Sequence, residues 1–452
     1  MPSGTTSEQL PFHLKGNYAP VDEERSVTDL EVTGTIPAEL NGRYLRNGPN
    51  PHTGHSAHWF VGDGMIHGVR LRDGRAEWYR NRYVQTRALN EPGARAIGSD
   101  GSVDRTIGVN NTHIVGHAGR ILALVESSFP CEMSPELDTI GVYDFNGRLN
   151  TAMTAHPKTC PVTGELHFFG YGFAPPYLTY HRVAADGELV QSEVIDVPGP
   201  TMIHDFAITD RHVVFMDLPV VFDFDRAMQG AMPYRWDEDY GARVGIMPRS
   251  TPDRATGGAD VQWFEVEPCY VFHPMNAFVD DQDRVVVDTA RYRSMWARGS
   301  SKFPDVANLH RWAFDTATGT VTETQLDDRP LEFPRVAEHL TGLPNRYGYG
   351  AGGTDGTAVV KYDLEAGTSQ VRDYGTAAIP GEPVFVPAEH AESEDHGWLL
   401  TFVYDKADAA TDFLILDARD VTAAPVATVR LPQRVPFGFH GSWFDDSAFA
   451  AA

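Results

Sequence analysis

Four histidines recur in one local setting. In Thr201-Met202-Ile203-His204-Asp205-Phe206-Ala207-Ile208 a histidine opens a short apolar strand, and a turn at Asp210-Arg211 leads into a second strand over 212–218. The same order stands at Phe272-His273-Pro274-Met275-Asn276-Ala277, followed by an acidic turn at 280–283 and Val285-Val286-Val287. It stands more loosely at Ala155-His156-Pro157, with Glu165-Leu166-His167-Phe168-Phe169 beyond, and at Phe437-Gly438-Phe439-His440-Gly441-Ser442-Trp443-Phe444. The spacings match no short metal motif, so the shared setting carries the argument. Four neutral imidazoles brought to one point suit Fe, Zn, Cu or Ni, and the absence of paired cysteines excludes a thiolate site. A metal held only by neutral nitrogen keeps its full charge and calls for carboxylates behind the rings. The local cluster His52, His55 and His58 lies in a Gly-bearing loop that fixes no ligand geometry.

The elements that must position these rings are short strands. Turn signals come at Arg72-Asp73-Gly74, His117-Ala118-Gly119, Phe145-Asn146-Gly147, Ala185-Asp186-Gly187, Asp281-Gln282-Asp283, Ala317-Thr318-Gly319 and Thr354-Asp355-Gly356. Apolar runs such as Ile121-Leu122-Ala123-Leu124-Val125 flank them, and 42 glycines and 31 prolines fit many turns. Long segments of helical period are scarce. These features predict an all-β body, a β-propeller formed by 1–452 as a single domain, although no repeat period is visible. Residues 1–35 read as an arm laid over it. Insertions at 88–104, 226–260 and 291–312 are expected to cover the active-site face, the last bringing Tyr292, Met295 and Trp296 as candidate substrate contacts.

Composition narrows the function. With 37 Lys and Arg against 62 Asp and Glu in 452 residues, the net charge is −25. That balance argues against a phosphate-backbone footprint and against electrostatic binding to anionic lipid. Three separated cysteines, Cys131, Cys160 and Cys269, fit a reducing compartment. No signal-peptide pattern opens the chain and no apolar run is long enough to span a bilayer, so a cytoplasmic protein is expected.

Several longer motifs resemble one known family. They are Asn41-Gly42-Arg43-Tyr44-Leu45-Arg46-Asn47-Gly48-Pro49-Asn50-Pro51, His58-Trp59-Phe60-Val61-Gly62-Asp63-Gly64-Met65, and the four histidine segments. Glu332-Phe333-Pro334-Arg335, Arg346-Tyr347-Gly348-Tyr349 and Gly381-Glu382-Pro383-Val384 join them. In order from about residue 40 to 445, they resemble the carotenoid cleavage oxygenases. The resemblance implies a seven-bladed propeller with Fe(II) on its axis, held by His156, His204, His273 and His440. It implies that Glu126, Glu332 and Glu382 orient the rings and that Thr112 faces an open coordination position. The implied reaction uses O2 to cleave a conjugated C=C bond into two carbonyl products.

The family acts either on carotenoids and apocarotenoids or on stilbene-type phenylpropanoids. Stilbene cleavers resemble one another in a lysine just before the first of these glutamates, where this chain has Val125. Valine cannot stabilise a phenolate, which favours a polyene. The polar insertions Arg87-Ala88-Leu89-Asn90-Glu91-Pro92-Gly93 and Tyr234-Arg235-Trp236-Asp237-Glu238-Asp239-Tyr240 point to a shorter apocarotenoid, with at most weak membrane contact. The alternatives are stilbene cleavage, a non-catalytic binding propeller, and retinoid-ester isomerisation on the same scaffold.

Overall fold

Runs of β-branched and aromatic residues between left-handed turns give strands along almost the whole chain. The computed structural model describes residues 10–91, 93–99, 101–229, 232–249, 260–296, 306–353 and 356–449. Among these, the α-helices are two short ones, Arg87–Asn90 and Phe224–Met228. Turn chemistry is as the sequence requires. Asp73 and Gly74 have φ of 48° and 73°, and Ala118 and Gly119 have 48° and 74°. Each pair joins two antiparallel strands, and left-handed φ at both turn positions matches the strand twist.

The strands form antiparallel sheets in which chain neighbours are usually sheet neighbours. One four-stranded sheet runs from His113–His117 to Thr139–Val142, the next from Lys158–Thr159 to Leu189–Ile195, and a third from Ala207–Ile208 to Gln262–Glu265. A seven-stranded sheet follows, from Tyr270–Val279 to Thr368–Asp373, and contains the sixteen-residue strand Thr320–Arg335. The last strand, Gly441–Asp445, returns to pair with Gly42–Pro49 near the other end of the chain. The Arg43 guanidinium, almost fully buried, donates to Asp446 at 2.6 Å and fastens this closure.

Neighbouring sheets pack face on face, which explains apolar runs that do not alternate. Val285, Val286 and Val287 are all buried, as are Ala358, Val359 and Val360. Val214, Val244 and Phe264 of one sheet meet Val285, Val287, Trp312 and Phe314 of the next. Tyr44 and Val69 meet Phe402, Phe413 and Ile415 where the first and last sheets join. Truncating a ring as buried as Phe314 to Ala would cost about 3–5 kcal/mol.

Three expectations change. The arm is not merely laid over the body: Ser26–Val27 pairs with the strand Arg75–Tyr83, and Glu31–Gly34 pairs with Ala427–Arg430. Residues 1–9 of the arm lie outside the described residues. The stretches 226–260 and 291–312 are partly ladder, because Tyr234–Trp236, Arg243–Pro248, the end of Val285–Tyr292 and the start of Asn308–Asp315 are strands. Their arginines and acids masked the alternation, and 250–259 and 297–305 lie outside the described residues. Finally, Tyr292, Met295 and Trp296 are buried in the apolar core around Tyr270 and Phe272.

Candidate metal centre

Each of the four histidines sits at or just before an edge strand of a different sheet. His156 precedes Lys158–Thr159, and His204 precedes Ala207–Ile208. His440 precedes Gly441–Asp445, while His273 lies within Tyr270–Val279 beside irregular pairing around Pro274. Side chains and backbone hold these segments together. The Thr154 hydroxyl accepts the His156 N–H at 3.2 Å and donates to the His204 carbonyl at 3.3 Å. The Thr289 hydroxyl donates to the His273 carbonyl. The His440 N–H donates to the Thr112 carbonyl at 3.1 Å, and the His440 carbonyl accepts from the Asn47 N–H.

The four imidazoles converge. Nε2 of His204 lies 3.0 Å from Nε2 of His156 and 3.3 Å from Nε2 of His273, and one nitrogen from each of the four falls within a 4.8 Å cluster. Behind the rings stand carboxylates. Nδ1 of His273 is 2.6 Å from Glu332, Nδ1 of His440 is 2.9 Å from Glu382, and Nδ1 of His204 contacts Glu126. An Nδ1–H donated to a carboxylate leaves the Nε2 lone pair facing inward. Several lone pairs aimed at one point repel unless a cation lies between them, so the donor set fits a resident metal ion of the kind that prefers imidazole.

Burial and charge keep the groups in those states. Burial, helped by the neighbouring imidazoles, holds His156 far below the usual histidine range, and burial pushes His440 down to about 4 despite Glu382. Burial would raise the Glu382 carboxyl, but Arg335 and His440 outweigh it and hold the group well below the usual carboxylate range. At His204 burial works downward, and the Glu126 charge overcomes it and raises the pKa. Burial and Glu126 together drive the Tyr171 phenol far up, so it stays a donor to the Glu126 carboxylate.

One side of the cluster is aromatic. Phe272 meets His204 edge-on at 5.0 Å, and Phe333 stacks on His273 at 5.4 Å and meets His440 at 5.3 Å. Phe333 adopts φ 50°, and its N–H donates to Glu332 at 2.8 Å, so the carboxylate that orients His273 also holds this left-handed turn. From the surface a line of rings leads inward. Phe224, 57% exposed, packs on Phe222 at 5.0 Å, and Phe222 packs on Tyr234 at 5.6 Å. Tyr234 hydrogen-bonds Tyr171, the donor to Glu126.

The remaining predicted positions are close but differ in kind. Val125 is buried directly beside Glu126, at the end of the strand Arg120–Leu124. Thr112 is buried, its hydroxyl donating to Asn111 Oδ1 at 3.0 Å and its carbonyl anchoring His440. His52 and His55 are exposed, and His58 caps the turn Trp59–Val61 through its ring. Sequence reasoning passed over Asp205, which faces His156 Nδ1 at 3.8 Å and pairs with Lys158 at 2.8 Å. It also passed over His113, whose ring lies 5.1 Å from that of His440. Both are direct chain neighbours of residues already singled out, and adjacency was the only signal.

Comparison with known proteins agrees with this geometry. A family model described as "RPE65: Retinal pigment epithelial membrane protein" matches residues 18–445. A carotenoid cleavage oxygenase of Mycobacterium tuberculosis is 40% identical, over 98% of this chain and 99% of that protein. A carotenoid 9,10(9',10')-cleavage dioxygenase of Arabidopsis thaliana is 37% identical, over 95% and 89%. Among solved structures, the lignostilbene dioxygenase of Pseudomonas brassicacearum superposes with a TM-score of 0.86 at 30% identity, covering 97% of this chain and all of that one. Cobalt-substituted Synechocystis ACO gives 0.83 at 26% identity, over 94% and 97%. Four converging imidazoles backed by carboxylates, on an all-β scaffold matched along its length, place this chain in the carotenoid cleavage oxygenase family, a family of non-heme iron enzymes.

Proposed function

We propose that the protein is an Fe(II) dioxygenase that uses O2 to cleave a conjugated C=C bond of a carotenoid or apocarotenoid into two carbonyl products. The observation that carries this reading is the convergence of His156, His204, His273 and His440, with carboxylates behind the rings and phenylalanines beside them. These four would hold the iron, and Glu126, Glu332 and Glu382 would fix ring orientation. Bound there, iron supplies the electrons that ground-state O2 needs in order to react. The protein orients the alkene and excludes water. Phe272 and Phe333 suit a long apolar chain, Val125 adds apolar surface beside Glu126, and Thr112, whose carbonyl accepts the His440 N–H, would border the bound metal.

The scaffold reading is a seven-bladed propeller, with the seven-stranded sheet counted as two blades that share the long strand Thr320–Arg335. No described helix is long and apolar enough to cross a membrane. Exposed Phe224 and Met228 on one short helix suit weak peripheral contact with an apolar phase. Three buried, unpaired cysteines support a cytoplasmic location.

Stilbene cleavage is the second reading. The likeness to lignostilbene dioxygenase favours it, as does a 31% identical resveratrol cleavage oxygenase of Aspergillus fumigatus that aligns over 96% of this chain. Val125 weighs against it, since it offers a phenolate no partner. Aerobic incubation of the iron-loaded protein with apocarotenals and hydroxystilbenes, followed by product masses, separates the two. Aldehyde or ketone pairs from the polyenes alone are the expected result, and cleavage confined to the stilbenes would overturn it.

A further inference from the structure

The chain on the C-terminal side of each ring lines a second space, in which polar side chains stand among apolar ones. Lys158, Asp205, Asn276, Arg335 and Ser442 border a cavity of about 500 Å³ that reaches His156, His273 and His440. Phe272 and Phe333 are not among its lining residues, while Trp443, Phe444 and Phe449 are. The centre is therefore bordered on one side by Phe272 and Phe333 and on another by this mixed cavity.

Two further imidazoles line this cavity. His113 and His117 belong to the strand His113–His117, where alternate residues share a face, and both border the cavity. His117 is half-buried and donates its Nε2–H to the Ala184 carbonyl at 2.9 Å, leaving Nδ1 as its lone-pair nitrogen. His113 is buried and donates its Nδ1–H to the Ala155 carbonyl at 2.8 Å. Its Nε2 then accepts, 3.4 Å from the Ser442 hydroxyl. Imidazole donors thus border the cavity at half-buried His117, at buried His113 whose ring lies 5.1 Å from that of His440, and in the centre itself.

A hydrated dication cannot cross an aromatic wall without losing its water, at a cost no ring contact offsets. The second cavity differs in offering His117, His113, Asp205, Asn276 and Ser442 as polar partners among its apolar walls. Its cations are paired: Lys158 with Asp205 at 2.8 Å, and Arg335 with Glu338 at 2.6 Å and Glu382 at 3.3 Å. A net charge of −25 further concentrates cations around the molecule. We propose that this cavity is the route by which the metal ion enters and leaves the four-histidine centre, with His117 and His113 as successive transient ligands. Each step exchanges a water or imidazole on the ion, with no change of oxidation state. The alkene uses the side of Phe272 and Phe333, so loading and turnover occupy different faces.

The inference rests on the four-histidine metal reading, and one experiment tests both. Chelator-stripped full-length protein is mixed with Co(II), and loading is followed by visible absorbance and by final cobalt content. Ala185, an exposed residue of the cavity border, is changed to Cys and alkylated with a bulky maleimide. The native Cys131, Cys160 and Cys269 are all buried, so the label goes to the border. The plugged protein should load, and release cobalt to a chelator, at least tenfold more slowly, with the same final content. Protein plugged after loading should turn over normally. His117→Ala, without a plug, should load severalfold more slowly to the same content. Equal loading rates with and without the plug would overturn the route. Absence of bound cobalt in the unmodified protein would overturn the metal centre itself.

Discussion

Nδ1 of His156 lies 3.8 Å from Oδ2 of Asp205, which is too long for a hydrogen bond. The other three rings contact glutamates directly. The asymmetry has a local cause: Asp205 already accepts from the Phe206 N–H at 2.6 Å and pairs with Lys158 at 2.8 Å. Its carboxylate is committed to the chain and to a cation before it meets the imidazole.

The carboxylates should therefore separate into two groups on mutation. Glu332→Gln and Glu382→Gln should each weaken metal binding about 10- to 100-fold, as removal of a ligand-orienting partner does. Asp205→Asn should change metal affinity less than either. It should instead lower stability by about 1–3 kcal/mol, because partly exposed Lys158 loses its carboxylate partner. Competition titrations with a chromophoric chelator and urea unfolding of the same proteins check both halves. A metal affinity for Asp205→Asn as weak as that of Glu382→Gln would refute the division.

Replacing any one of His156, His204, His273 and His440 by Ala should abolish turnover through loss of iron while the sheets persist. The rings contribute to the centre more than to the core between sheets, which is built from residues such as Val285, Trp312 and Phe314. Iron analysis of protein purified without added metal, together with far-UV circular dichroism, tests this for each variant. A variant with full iron and full activity would remove that residue from the set.

The metal-free protein should lose stability as pH falls from about 6.5 toward 4. His181 is held between Thr151 and Ser192, and burial pushes its pKa down to about 4, from 6.5 in the unfolded chain. His440 is likewise pushed to about 4, mainly by burial. In that window the unfolded chain takes up protons that the native state refuses, so acidification favours unfolding. Above about 6.5 the contribution is complete, and below 4 no more is lost from these groups. Urea midpoints measured at half-unit steps should fall through this window, and a flat profile would contradict the assignment.

Specificity should turn on Val125. A phenol buried against an apolar wall without a partner costs about 1–3 kcal/mol. Val125→Lys should therefore raise the ratio of kcat/KM for a 4-hydroxystilbene over that for an apocarotenal by roughly tenfold. A parent enzyme that already cleaves hydroxystilbenes faster than every apocarotenal would show that Val125 only packs and that the phenol is held elsewhere.

Much of this protein is local enough to be determined by sequence alone. Strand rhythm, the left-handed turn at Asp73-Gly74, and a histidine beside each of four strands depend on residues a few positions apart, and a backbone's preferences act over that range. Extended motifs added the three glutamates, since Glu332 and Glu382 stand in runs too specific to arise by chance. Other features depend on which sheets meet. Asp205 comes near His156 because Thr154 and Lys158 tie two distant segments together, and His113 comes near His440 because the last strand closes beside the first. Trp296 read as a loop aromatic and became core, because an apolar ring goes to whichever neighbouring surface excludes water. Long-range contacts of that kind are set by the packing of whole sheets, which is why only the tertiary structure decided them.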